Sequence, residues 1–360
     1  MSTTIYDIAE RADVSTATVS RVFNDESGVS DETRQHVLDA ADALNYRPHA
    51  SAQNLARQHT NQIAVVAPVV ANYFYMHVMR GIQHVLADRD MDLMVHAPGK
   101  PQNRIHEQPD PESLNSYMTR ALQPGRNDGI LLLSMPLTDE WAERLVDTSQ
   151  SVVLVDGEHP MFESFGVDSR HGGYEATQHL IELGYERIGH ITVEYDPPPA
   201  RQRREGYEQA LRDNGRSVRE DLVAASDERP FAFSEKGGYR AMNVLLDRDP
   251  APDAVFAASD MQALGAMNAA QERGLRVPED LAIVGFDDLE LSRCAGLTTL
   301  RQPAHTMGAR AARALLRRIE TSDPGPVSST VFSPELVVRR TCGGRPEPED
   351  ASAAFMPREP

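Results

Sequence analysis

The sequence predicts a small all-α headpiece followed by an α/β core of two doubly wound subdomains. Three observations carry that expectation. Helical periodicity with capping residues fills the first 45 residues. From Asn61 onward, short runs rich in Val, Ile and Leu alternate with helix-like segments, and strands apolar on both faces alternating with helices indicate a parallel sheet. The alternation then restarts near Phe165, so two such units stand in series. A length of 360 residues accommodates two or three domains.

In the headpiece, Ile5, Ile8, Ala9 and Ala12 recur at i, i+3, i+4 and i+7, one apolar helical face. Asp13 stands at the following corner, where a left-handed backbone suits Asp. Ser15 suits the N-cap of a second helix. There Val19, Val22 and Phe23 face inward, and Thr16, Ala17, Ser20, Arg21 and Asn24 point out. Short hydrogen-bonding side chains beside one Arg suit a helix that lies in a major groove and touches base edges. A solvated helical hairpin capping a domain fits the same periodicity. In a third helix Ser30 is the cap, and Asp31 and Glu32 complement the dipole. Val37, Leu38, Ala41 and Leu44 carry its apolar face and Asn45 closes it. The stretch Tyr46–Thr60 has Pro48 to open a helix but little apolar area. It reads as a linker that becomes helical only with a partner.

In the core, strands are expected at Gln62–Val70, Met91–Ala97, Gly129–Met135 and Ser151–Asp156, with helices at Tyr75–Ala87 and Asp139–Thr148 and an exposed loop at Pro98–Pro111. The second unit runs through a strand at Phe165–Asp168, a helix at Tyr174–Leu183, a strand at Arg187–Val193 and a helix at Arg203–Asn214. The alternation continues through Gly237–Leu246, Ala254–Ala258, Met261–Arg273, Leu281–Phe286 and Met307–Ile319. Ligands bind such sheets at the carboxyl ends of the strands and in clefts between domains.

The net charge of -18 is awkward for a nucleic-acid binder, and residues 1–60 hold five Arg and no Lys against nine Asp or Glu. DNA affinity depends on cations near phosphates. The DNA reading therefore requires Arg21, Arg47 and Arg57 to face the backbone, helped by amides at helix N-termini. Cys294 and Cys342 form no paired motif, which argues against a disulfide scaffold or a zinc site and fits a reducing compartment. With no leader and no apolar run of membrane-spanning length, a cytoplasmic protein is expected. No nucleophile elbow, P-loop, dinucleotide fingerprint or HExxH is present, so neither enzyme activity, a cofactor nor a metal is expected.

The chain resembles the lactose repressor (LacI/GalR) family through Thr4-Ile5-Tyr6-Asp7-Ile8-Ala9, Val14-Ser15-Thr16-Ala17-Thr18-Val19-Ser20-Arg21-Val22-Phe23-Asn24 and Leu44-Asn45-Tyr46-Arg47-Pro48. Further matches include Asn72-Tyr73-Phe74, Gly166-Val167-Asp168, Leu183-Gly184-Tyr185-Glu186-Arg187, Arg203-Arg204-Glu205-Gly206-Tyr207, Ser259-Asp260 and Val284-Gly285-Phe286-Asp287-Asp288, so the likeness runs from Thr3 to about Arg340. The resemblance implies a helix-turn-helix headpiece at 1–47, a hinge helix or linker at 48–60, and an effector-binding core at 61–342 like the sugar-binding proteins of the bacterial periplasm. The core would comprise an N-subdomain (about 61–161 plus 290–320) and a C-subdomain (about 162–289 plus 321–342), followed by a disordered tail at 343–360, which is rich in Pro, Glu and Ala.

The family likeness further implies a repressor that binds a palindromic DNA operator as a homodimer, with tetramers left open, gated by a sugar or sugar derivative. Thr16, Ala17 and Arg21 would read bases, with Ser20 and Asn24 on the same face. Ala17 makes only apolar contact, while Arg21 suits guanine. Leu55 would wedge into the minor groove and kink the duplex, and Ala56 would let the hinge sit close. In the core, Tyr73 and Phe74 would form an aromatic wall, and Arg203 and Asp287 polar anchors for hydroxyls. Ser259 would supply a further polar contact and Phe233 a second aromatic face. Two departures concern the effector: Tyr73 replaces a common Pro, and Pro197-Pro198-Pro199 stands where relatives place polar residues. As an alternative, the core would respond mainly to a phosphorylated carrier protein. A sugar-binding protein without a regulatory role is a further, weaker reading.

Overall fold

A computed structural model describes residues 3–23, 27–46, 60–69, 72–89, 91–97, 118–123, 125–135, 137–148, 150–194, 197–226, 233–321 and 327–344. Asn24, Arg47, Leu55, Ala56 and Arg57 lie outside the described residues, as does most of the expected tail.

The headpiece is three helices, α1 (Ile5–Ala12), α2 (Thr16–Phe23) and α3 (Asp31–Ala43). Each start is set locally. The Thr4 amide and hydroxyl both donate to Asp7, at 2.7 and 2.8 Å. Ser15 Oγ accepts from the Thr18 amide at 3.1 Å, and Ser30 Oγ from the Thr33 amide at 3.2 Å. Asp13 takes a left-handed φ of 53° at the corner and Asn45 one of 49° after α3. Ile8, Ala9, Val19, Val22, Val37, Ala40 and Ala41 form the core. Leu38, expected inward, is 39% exposed. In so small a bundle the buried stripe of α3 is narrow and runs through 37, 40, 41 and 44, which leaves position 38 outside.

The rest of the chain alternates β1 (Gln62–Val66), α4 (Tyr73–Ala87), β2 (Asp92–His96), β3 (Gly129–Leu133), α5 (Asp139–Asp147), β4 (Ser151–Val155), β5 (Glu163–Val167), α6 (Ser169–Glu182), β6 (Ile188–Val193) and α7 (Pro198–Asp213). It continues with β7 (Val223–Ser226), α8 (Glu235–Leu246), β8 (Ala254–Ala257), α9 (Asp260–Glu272), β9 (Ala282–Asp287), α10 (Glu290–Ala295), β10 (Thr298–Arg301), α11 (Ala304–Thr321), β11 (Ser329–Phe332) and β12 (Glu335–Val337). Two six-stranded sheets result, ordered β11-β5-β4-β3-β1-β2 and β12-β10-β9-β8-β6-β7. Neighbouring strands are parallel except β12, which runs antiparallel to β10. The central strands of each sheet are buried on both faces. The first packs Ile63, Val65, Leu131 and Val153 toward α4 and α11, and Ile130, Leu132 and Leu154 toward Trp141 of α5. The second does the same between Val255 and Ile283 on one face and Phe256 and Val284 on the other. Among the described residues, no helix is long and apolar enough to cross a membrane.

The chain passes between the sheets three times, after β5, after β10 and after β11. These crossings differ from the expected bounds. β5 and β11, expected with the second subdomain, stand in the first sheet, where β5 pairs with β4 (Val153 aligned with Glu163) and β11 with β5 (Val331 aligned with Gly166). Residues 290–301, expected with the first, hold α10 and β10, and β10 pairs with β9 in the second. Apolar runs mark a strand but not the sheet it joins, which pairing register decides.

Candidate functional site

Two places gather residues that the core packing leaves without a structural need. The first is the outer face of α2. Val19 and Val22 are buried; Ala17 and Arg21, one turn apart, are exposed, with Thr16 and Ser20 half-buried beside them. Arg34 donates to the Val22 carbonyl at 3.3 Å and so ties α3 to the end of α2. Phe23 packs its ring 5.9 Å from that of Tyr46. The helix is thus fixed from behind, while its front presents one methyl and one guanidinium, the combination that reads base edges.

The second place is the cleft where strand ends of both sheets meet. Arg203 of α7 is 5% exposed. Its guanidinium lies 3.7 Å over the Phe286 ring and donates through Nη1 to the Ala258 carbonyl at 2.6 Å, while Nε has no hydrogen-bond partner. Burial pushes its pKa down, against the fields of Asp287, Asp156 and Asp260. Among the described residues no carboxylate lies within ion-pair distance of it. Its position is set by a close helix crossing. A Cβ on Gly206 would stand 2.1 Å from the Arg170 carbonyl, and one on Gly173 2.2 Å from the Arg203 carbonyl. Only glycine lets α6 and α7 approach so far.

Asp287 ends β9 with a left-handed φ of 129°, a strained conformation for a residue with a Cβ. Its Oδ1 accepts from Gln302 Nε2 at 2.6 Å, at the second crossing between sheets. Burial raises its pKa; Arg203 opposes this and Asp260 adds to it. From the first sheet comes Asp156, immediately after β4, whose carboxylate accepts from the Ser134 hydroxyl at 2.5 Å. Burial raises its pKa too, against the Ser134 hydrogen bond and the charge of Arg203. One acid from each sheet therefore acts on one buried cation. The sequence reading did not single out Asp156; the available signal was a carboxylate closing the apolar run Ser151–Val155.

The aromatic residues divide between the two sides. Phe74, in the first turn of α4, is half-buried against the first core with its ring 5.9 Å from that of Tyr75, while Tyr73 is 40% exposed. Phe233 packs on Val193, at the end of β6, and on Ala200 of α7. Ser259 occupies the expected strand end, but its hydroxyl is engaged. It accepts from the Gln262 amide at 3.2 Å and donates to Gln262 Oε1 at 3.4 Å, capping α9. Asp260 beside it is saturated by the Leu289 amide and the Ser292 and Thr299 hydroxyls at 2.9, 2.5 and 2.5 Å, so its role is internal. Across the two subdomains, His77 and Arg80 of α4 each meet Glu290 of α10 at 3.0 Å, a link absent from the sequence reading because its partners are 213 and 210 residues apart.

Comparison with known proteins places this geometry. Residues 4–49 match the profile of bacterial regulatory proteins of the lacI family, and residues 177–342 match a periplasmic binding protein-like domain. The chain is 33% identical to the HTH-type transcriptional repressor PurR of Haemophilus influenzae over 344 residues, covering 94% of this chain and 98% of that one. Among solved structures, it is similar to the lac repressor dimer bound to operator and the anti-inducer ONPF, with a TM-score of 0.78, 27% identity, and coverage of 95% and 99% of the two chains. It is also similar to the transcriptional regulator CelR in complex with cellobiose, with a TM-score of 0.66, 32% identity, and coverage of 94% and 99%.

Proposed function

The chain belongs to the LacI family of DNA-binding transcriptional regulators, and from that premise we propose a repressor that binds a palindromic operator as a homodimer and is gated by a sugar or sugar derivative held in the core cleft. The observation that carries the gating is Arg203, a cation buried without an ion pair, with Nε unpartnered and one acid from each sheet nearby. A buried charge left this way is costly to the fold and is explained by a ligand that completes its hydrogen bonds. Phe74 and Phe233 offer apolar faces to a sugar ring, and Arg203, Asp156 and Asp287 meet its hydroxyl edge. CelR, which is similar in fold, forms a complex with cellobiose.

On the DNA side, Arg21 takes a guanine and Ala17 a thymine methyl, Thr16, Ser20 and Asn24 flank them, and Leu55 and Ala56 of the hinge enter the minor groove. Effector binding shifts the population between core arrangements, and the difference in affinity for the two states sets the size of the response. Selection of bound sequences from random duplex DNA tests the first half: the expected product is a palindrome with two half-sites, and enrichment of a single asymmetric site contradicts the dimer. A thermal-shift screen with mono- and disaccharides tests the second. The alternative of a phosphorylated protein partner has one supporting observation: Arg310, Arg313 and Arg317 lie exposed at i, i+3 and i+7 on α11, beside a surface hollow of about 440 Å³ that also includes Glu163 and Thr330. Arg317 is already paired with Glu163.

A further inference from the structure

We propose that α11 carries a docking surface for the chain's own headpiece, which rests its α3 there when no DNA holds it. The inference concerns the headpiece off the operator and does not depend on what the cleft binds.

The surface is basic. Arg310, Arg313 and Arg317 stand exposed at i, i+3 and i+7 on α11, while Met307, Ala311 and Leu315 bury the opposite side in the first core. Both flanks of the stripe are built. On one, the Arg310 guanidinium lies 5.3 Å from the centre of the Phe332 ring, and Arg317 pairs with Glu163 at 2.9 Å. On the other, Arg313 and Arg317 border a second hollow of about 270 Å³ with His84 of α4 and Arg89. Its acids are Asp88 and Glu320, and Glu320 is paired with Arg89.

The headpiece carries the complement. Glu32, Gln35, Asp39 and Asp42 stand exposed at i, i+3, i+7 and i+10 on α3, with Leu38 beside them at 39% exposure. Val37, Ala40 and Ala41 bury the other side, and Arg34, the one arginine of α3, donates to the Val22 carbonyl at 3.3 Å. This face is therefore acidic with an apolar centre. Beside a phosphate backbone it meets like charge; beside α11 it meets its opposite. Both stripes step by three and four residues, so the two helices can lie side by side with carboxylates against guanidiniums. Leu38 then covers the alkyl stems of the arginines.

The tether keeps the two within reach. Thr60 donates to Asp128 through its amide and hydroxyl at 2.6 and 2.9 Å, and the Asn61 amide does so at 2.9 Å. The next residue, Gly129, is packed so close to α11 that a Cβ there would stand 2.9 Å from both Leu315 and Ile319. The core end of the linker is thus rooted beside α11, and Arg310 lies about 14 Å back along that helix. Residues 47–59 separate this root from the last described residue of the headpiece, a length that spans at most roughly 45 Å. Exposed ion pairs are individually weak, but a short tether raises the effective concentration to the millimolar range. A headpiece held on the flank of its own core is not engaged with a half-site. Docking therefore weakens operator binding in proportion to the docked fraction.

The test uses the full-length protein in a Cys294→Ser background, since Cys294 is exposed and Cys342 buried. Asp39→Cys and Arg313→Cys are joined with a short bismaleimide. The expected product is an intrachain cross-link that forms at least threefold faster than in the control pair Asp39→Cys with Val244→Cys, and that the selected operator suppresses. Cross-linking no faster than the control, or only between chains, overturns the proposal, as it must if a separate acidic protein owns the stripe. The second arm is operator affinity by fluorescence anisotropy. Arg310→Glu/Arg313→Glu adds negative charge to the core, yet should bind the operator at least threefold more tightly because docking is lost. Adding these changes to Asp39→Arg/Asp42→Arg exchanges the signs of the pairs, and should weaken binding relative to Asp39→Arg/Asp42→Arg alone. Unchanged or weaker operator binding in Arg310→Glu/Arg313→Glu, at an unchanged thermal midpoint, overturns the proposal and leaves the operator reading intact.

Discussion

The reading helix and the cleft solve opposite problems. On α2, Ala17 and Arg21 are exposed and lie off the buried stripe: Val19 and Val22 hold the helix down while these two face away. In the cleft Arg203 is buried and Asp156 and Asp287 are half-buried, and these charged residues burden the fold. Arg203 is 5% exposed with an unpartnered Nε, Asp287 is held at a φ of 129°, and burial raises the pKa of both Asp156 and Asp287. The difference teaches that binding and stability separate at the first site and are coupled at the second.

The sharpest way to break the comparison is at the scaffold of the cleft. Gly206→Ala places a methyl 2.1 Å from the Arg170 carbonyl. Forcing α6 and α7 apart should cost roughly 3 kcal/mol, read as a lower midpoint in urea denaturation, and should shift Arg203, one turn away. Next in size, Arg21→Ala should lose about 1–3 kcal/mol of operator binding and relax specificity at one base position, while unfolding stays within roughly 0.5 kcal/mol of the parent. Loss of stability in that variant would erase the distinction between the two sites.

The pH dependence sharpens the cleft side. A carboxyl whose pKa is raised on folding binds more protons in the folded state than in the unfolded one, between its ordinary value and its raised one. For Asp287, burial is the cause, and stability of the ligand-free core should therefore fall as pH rises from about 4 through that window. Asp287→Asn removes the titration. It should gain on the order of 1 kcal/mol relative to the parent at pH 8 and little at pH 4, checked by urea titrations at both values. A relative stability that does not change with pH contradicts the burden assigned to this residue. The smallest effect belongs to the headpiece caps: Ser30→Ala removes the acceptor for the Thr33 amide and should cost about 1 kcal/mol, with no change in the response to the effector.

The same contrast explains what was legible in the sequence. The headpiece is written in local signals. Caps at Ser15 and Ser30, a left-handed Asp13, and apolar residues three and four apart each act within one turn, so all three helices and the exposed face of α2 follow from neighbours in the chain. Leu38 escaped because bundle width, not periodicity, decides which flank is covered. The alternating strands and helices of the core were also legible. Their partition between sheets was not, since β11 joins the first sheet through pairings with β5 that lie 165 residues apart, Val331 with Gly166 among them. Arg203 and Asp287 were found only through the family resemblance, and Asp156 needed the fold, because nothing local links it to Arg203. Ser259 shows the converse: its position matched, yet its hydroxyl caps α9.

The central claim is that α2 reads the operator and the cleft gates it. Fluorescence anisotropy with the selected operator, with and without the compound found in the thermal-shift screen, tests it most directly on the parent protein, Arg21→Ala and Asp287→Ala. The account predicts that Arg21→Ala binds the operator at least tenfold more weakly, and that Asp287→Ala binds it within about twofold of the parent but no longer responds to the compound. If the two variants lose operator binding alike, or if Asp287→Ala responds as the parent does, the account is contradicted.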